Sequence, residues 1–107
     1  MGGAIAVEDV VNLGCGVSKG IEDIQAVATA GTIDVAHLAF AEGCCPLGVV
    51  PTVGVSGGEL SLSYQVVDDF CCCVCPLDVS YRIVNVPAGK WSLVSALSGL
   101  ATSVTVP

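Results

Sequence analysis

A chain of 107 residues is a single domain's worth of protein, long enough to bury about two-thirds of its unfolded surface in one core. It is 53% hydrophobic and only 12% charged, a composition with too much to bury and too little charge to remain unfolded. Ten acidic residues stand against three basic ones, Lys19, Arg82 and Lys90, for a net charge of -7. That is the wrong sign for phosphate backbones or anionic membrane surfaces, which excludes nucleic acid as a partner.

In chain order, Ala4 to Leu13 reads as a strand with Ile5, Val7 and Val11 apolar, followed by a turn at Gly14-Cys15-Gly16. Ser18 is placed to cap a short helix from Lys19 to Ala30. Ile21, Ile24, Val27 and Ala28 recur there at helical spacing, Glu22 and Asp23 occupy the first turn, and Gly31 closes it. From Thr32 the period changes to two. Thr32 to Ala41 sets Ile33, Val35 and His37 on one face, with Ala36, Leu38 and Phe40 on the other.

Val49 to Ser56 is a strand whose Pro51 points to a sheet edge, and Gly57-Gly58 is a two-residue hairpin signal. Beyond it Leu60, Leu62, Tyr64 and Val66 alternate with polar residues. Asp78 to Val86 follows with Val79, Tyr81 and Ile83 on one face, then Trp91 to Leu97 and Leu100 to Val106. The expected fold is mainly β: a single antiparallel, Ig-like β-sandwich of six to seven strands with one short N-terminal helix. Residues 1–31 form an N-terminal segment packed on a cysteine-rich sandwich over 32–107. Trp91 and Tyr81 read as packing residues.

The seven cysteines are clustered: Cys15 alone, Cys44-Cys45 adjacent, and Cys71, Cys72, Cys73 and Cys75 within five residues. An odd number leaves at least one thiol free, bridged to another chain or bound to metal. Cys15, between two glycines, reads as a free turn thiol or an intermolecular crosslink. On a strand Cys71, Cys73 and Cys75 project one way and Cys72 the other. Neighbours on one face lie about 6.5–7 Å apart, whereas tetrahedral zinc ligands need sulfurs under about 4 Å apart. Rotamers or a bulge can close that gap for two of the three. A Cys-x-Cys pair with Cys44 or Cys45, and His37 as fourth ligand, makes a sensible S₃N site. Asp34 and Glu42 are the candidates in sequence to orient the His37 ring.

Two other fates suit the same residues. Six cysteines at 44, 45, 71, 72, 73 and 75 can form three disulfides in fifteen pairings. Each would close a loop of roughly 26–31 residues, worth about 3–4 kcal/mol on the chain-entropy model. Free cysteine also packs as a small hydrophobe. A lone His is ordinarily a core or edge residue, and its place ahead of Cys44-Cys45 is what makes His37 a candidate ligand. Asp68-Asp69 reads as a solvated turn, since two adjacent carboxylates fall far short of a calcium loop.

In order, His37, Cys44-Cys45, Cys71-x-Cys73-x-Cys75-Pro76-x-Asp78 and Pro87-x-Gly89-x-Trp91 resemble a family of small cysteine-rich β-sandwich domains found in bacterial secreted proteins and lipoproteins. The resemblance runs from His37 to Trp91. It implies the sandwich fold, a clustered Cys/His site, and export with disulfides.

Catalysis has little to work with. One histidine allows at most a Cys/His pair, and H-E-x-x-H does not occur. Cys72-Cys73-Val74-Cys75 has the C-x-x-C spacing of redox motifs but lies among strands rather than at a helix N-terminus. The glycines of 54–58 match no phosphate-binding loop and sit in a hairpin. The start of the chain lacks the basic and apolar regions of a signal peptide, and no apolar run is long enough to span a bilayer. The chain as written therefore reads as cytoplasmic, or as cell-surface if it is the mature part of an exported protein.

The expectation is a non-enzymatic domain carrying a transition metal or metal cluster on His37, Cys44, Cys45, Cys71, Cys73 and Cys75, with Cys72 facing away. Soft sulfur ligands favour zinc, copper(I) or an iron–sulfur cluster. The alternative is a disulfide-stapled or cross-linked, self-assembling structural subunit, and either fits a homo-oligomer.

Overall fold

Alternation of apolar and polar side chains is strongest where the computed structural model places strands, in residues 4–14, 21–43, 48–67 and 75–107, the residues described here. Eight strands form: β1 (Ala6–Gly14), β2 (Asp23–Thr29), β3 (Thr32–Gly43), β4 (Gly48–Ser56), β5 (Glu59–Val67), β6 (Cys75–Val84), β7 (Gly89–Ser95) and β8 (Ala101–Val106). They make two four-stranded sheets, ordered β1-β6-β3-β2 and β4-β5-β7-β8. All neighbours are antiparallel except β5 and β7, which run parallel over Glu59–Leu62 and Ser92–Ser95.

The sheets face one another across one core. Ile33 and Val35 of β3, and Leu77, Val79, Tyr81 and Ile83 of β6, meet Leu60 and Leu62 of β5 and Leu93 of β7. Several of these side chains have no exposed surface at all. Burying an aliphatic side chain of this size contributes about 1.5–3 kcal/mol. The mainly β, two-sheet architecture read from the sequence is the one observed. Pro51 lies on β4, an edge strand of the second sheet, as its missing N–H requires. Gly57 and Gly58 both take positive φ, 52° and 82°, in the tight β4–β5 turn.

The N-terminal helix is a correction. Among the described residues there is no helix, and Asp23–Thr29 is strand β2, paired with β3 from Asp23↔Leu38 to Thr29↔Thr32. The apolar positions fit both periods, because Ile24, Ala26 and Ala28 also alternate. The hairpin decides between them. Ala30-Gly31 is a two-residue turn with Gly31 at φ 74°, so the glycine expected to close a helix closes a β-hairpin. The resulting ladder buries Ile24 and leaves Val27 64% exposed, splitting the pair that a helix would have faced inward. Both β1 and β2, from the first 31 residues, belong to the same sheet as β3 and β6.

Phe40 departs from simple alternation. His37 pairs with Val79 and Ala41 with Leu77, so β3 holds two extra residues against β6. Ala39 absorbs them in a left-handed conformation, φ 49°, and its N–H donates to the buried carboxylate of Asp78 at 2.8 Å. The bulge turns Phe40 into the core instead of onto the outer face.

Candidate functional site

The ladder register brings the residues that flank the cysteine-bearing segments to one end of the sandwich. Gly43, the last residue of β3, pairs with Cys75, the first of β6. Gly14, at the end of β1, pairs with Asp78. In the second sheet Gly48 of β4 pairs with Val67 of β5. The segments 44–47 and 68–74 therefore each join one paired ladder to the other, and each carries cysteines: Cys44 and Cys45 in one, Cys71, Cys72 and Cys73 in the other. Cys15 follows Gly14 directly. Of the expected ligands, Cys75 has its backbone placed on β6. Cys44, Cys45, Cys71 and Cys73 lie outside the described residues, as do Cys15, Cys72 and Asp68-Asp69. Among the described side chains no group of three or more His, Cys, Asp or Glu is arranged to hold a metal.

The sixth expected ligand, His37, sits in a different environment. Its position pairs with Val79, four residues up β6 from Cys75, about 13 Å at the rise of a strand. Its side chain is fully buried, and both ring nitrogens are engaged. Nε2 lies 2.6 Å from Glu22 Oε2, and Nδ1 lies 2.6 Å from the Tyr64 hydroxyl. The Tyr64 hydroxyl is in turn 2.7 Å from that of Tyr81. The rings pack closely, with His37 and Tyr64 centroids 5.2 Å apart and Phe40 and Tyr64 4.5 Å apart.

Three elements build this chain. The inward face of β3 carries His37, the matching face of β6 carries Tyr81, and Tyr64 reaches across from β5 in the opposite sheet. Glu22 enters just before β2, its side chain 20% exposed. Burial pushes the Glu22 carboxyl up, but hydrogen bonds from Ser98, His37 and Ser95 and the nearby imidazole outweigh it and hold the group below its ordinary value. An ionised carboxylate only accepts, so His37 carries its proton on Nε2 and donates it to Glu22. Burial lowers the His37 pKa against the opposing pull of Glu22 and Asp23. In the neutral ring Nδ1 accepts from Tyr64, whose oxygen accepts from Tyr81. Burial, with Tyr81 close by, raises the Tyr64 phenol far above its ordinary value, and burial pushes Tyr81 up to about 12.

Sequence reasoning missed Glu22 and Tyr64 as partners of His37. Asp34, one expected orienter, instead accepts from Arg82 Nε at 2.8 Å, with both side chains about half exposed. A helix from Lys19 puts Glu22 in its first turn, which conceals its reach toward β3. Tyr64 carried a usable signal: its phenol belongs to an inward-facing row, and a buried hydroxyl needs a partner.

No protein-family model, curated protein or solved structure matches the chain.

Proposed function

We propose that this chain is a non-enzymatic domain that holds a transition metal or metal cluster through cysteine thiolates at one end of its sandwich. The observation that carries the proposal is the register of the ladders, Gly43 with Cys75 and Gly48 with Val67. It brings the flanks of 44–47 and 68–74 together in both sheets, which supports a site drawn from Cys44, Cys45, Cys71 and Cys73. The donors are the thiolates of Cys44, Cys45, Cys71, Cys73 and Cys75. His37 is left out, because both its ring nitrogens already serve Glu22 and Tyr64. A donor set of sulfur alone suits zinc, copper(I) or an iron–sulfur cluster. The resemblance of the motif order to small cysteine-rich sandwich domains also supports a clustered site.

Cobalt(II) added to the reduced protein under argon tests this. Intense thiolate-to-cobalt charge-transfer absorption with tetrahedral ligand-field bands is the expected result. A spectrum no different from aqueous cobalt would refute thiolate ligation.

A second reading, a self-assembling subunit, is favoured by one lateral side of the sandwich. There β1 and β4, each an edge strand, lie against one another. They expose Val10, Val11, Val50 and Val55, each with about half its surface in solvent. Sedimentation over a concentration series, with and without reductant, distinguishes a cross-linked assembly from a metal-bound monomer.

A further inference from the structure

The parallel β5–β7 ladder stops at Leu62 and Ser95. Beyond it the Ala96 N–H donates to the Leu62 carbonyl at 2.8 Å, and the chain turns away toward β8. Among the described residues, no strand pairs with the β7 side of Ser63–Val67. That half of β5 borders a cleft of about 290 Å³ lined by Phe40, Leu62, Tyr64, Val66, Ala96 and Leu97. Beside the packing of Tyr64 and Val66 on the core, the polar link from this half-paired segment to the opposite sheet is the hydroxyl of Tyr64, bonded to His37 and Tyr81.

We propose that His37 is an acid-released latch, which in its neutral form pins the half-paired end of β5 to the first sheet through Tyr64 and on protonation lets it go.

The argument rests on the direction of the hydrogen bonds. With neutral His37 every proton has an acceptor: Tyr81 donates to Tyr64, Tyr64 to Nδ1, and Nε2–H to the Glu22 carboxylate. One proton added at Nδ1 makes that nitrogen a donor. The Tyr64 oxygen must then accept from it and turn its own proton toward Tyr81. Tyr81 is 3% exposed, and among the described residues its hydroxyl has Tyr64 as hydrogen-bond partner. Among those residues it is then left with a proton and no acceptor, a cost that buried polar groups feel in full.

The charged and titratable groups around the ring come from each packed element. Glu22 and Asp23 lie before and at the start of β2, Tyr64 on β5, and Tyr81 and Asp78 on β6. Glu22 and Asp23 favour the protonated ring, while burial disfavours it more strongly. The native state therefore binds this proton less readily than the unfolded chain. Stability is complete above the ordinary histidine value of about 6.5 and falls as pH drops from there toward the lowered native value.

Two measurements test the latch. Nitrogen-15 spectra of the His37 ring at pH 7.5 are expected to show the Nε2–H tautomer. On acidification below pH 6.5, but before global unfolding, shifts are expected to concentrate in Phe40 and Ser63–Val67. An Nδ1–H tautomer, a ring that titrates at or above pH 6.5, or shifts spread evenly over both sheets would each overturn the proposal. His37→Gln keeps a donor and an acceptor but does not titrate, so its melting temperature is expected to stay flat from pH 7.5 to 5.5 where the wild type falls. A parallel fall in both proteins would overturn it as well.

Discussion

Gly43 and Cys75 are register partners at the end of the β3–β6 ladder, and that single pairing sets the start of one cysteine-bearing connection beside the end of the other. The residues after Gly43 and those before Cys75 are committed to cross toward the second sheet, where Gly48 and Val67 are paired in turn. In the proposed site the cysteines at 44–45 and 71–75, remote in sequence, come together. Loop closure has already been met by the strands, so a metal joining the two connections costs little further chain entropy.

Removal of individual thiols separates ligands from bystanders. Cys73→Ser is expected to lower bound metal and melting temperature together, because metal bound by the native state alone is folding free energy. Cys72→Ser, on the opposite strand face in the expected geometry, is expected to change neither. Elemental analysis alongside calorimetry on both variants checks this. Unchanged metal in Cys73→Ser would remove that residue from the ligand set.

The hairpin that replaced the expected helix makes its own prediction. Gly31 has φ 74°, and an added Cβ would meet nothing within 4 Å. Gly31→Ala is therefore expected to destabilise by about 1–2 kcal/mol through backbone strain alone. A helix-closing glycine would carry a like cost in the same left-handed conformation, so the separating signal is the far-ultraviolet dichroism, which shows helical minima only in that case. Urea unfolding followed by circular dichroism distinguishes the two.

Asp78 is the hinge of the β3 bulge, accepting the Ala39 N–H at 2.8 Å while fully buried. Asp78→Ala is expected to cost about 1–3 kcal/mol, the range for a buried donor left without its acceptor. Asp78→Asn, which keeps a carbonyl oxygen, is expected to lose less. Equal losses in the two variants, measured by denaturant midpoint, would mean that the bulge does not depend on that acceptor.

Tyr64→Phe removes a hydroxyl that serves His37 and Tyr81 at once. The expected loss at pH 7.5 is about 1–3 kcal/mol, since the Tyr81 proton and the His37 lone pair both lose a partner in a buried setting. Tyr81→Phe, at the end of the chain, is expected to cost less, because the Tyr64 proton keeps its acceptor. Thermal unfolding of the two variants gives the order.

Much of the sheet structure was legible because inward-facing residues repeat with period two. Leu60, Leu62 and Tyr64 on β5, and Val79, Tyr81 and Ile83 on β6, needed only alternation to be placed. The segment around Ile24 and Val27 did not announce itself, since four apolar residues in eight satisfy helix and strand equally. What decided it was the pairing with β3, a tertiary fact. Alternation alone puts Phe40 on the wrong face because a bulge resets the period, and the acceptor that holds the bulge, Asp78, lies 38 residues away. His37 was singled out for its neighbours in sequence. Its actual partners, Glu22 and Tyr64, are set by which strands cross above and beside it.

The most direct test of a thiolate-held metal is a paired analysis of one preparation of the full chain, purified without oxygen. Elemental content and free thiols after denaturation are measured on the same sample. The account predicts a stoichiometric transition metal with nearly all seven cysteines titratable. No metal and at most one free thiol would contradict it, and would make the six cysteines at 44, 45, 71, 72, 73 and 75 a disulfide framework.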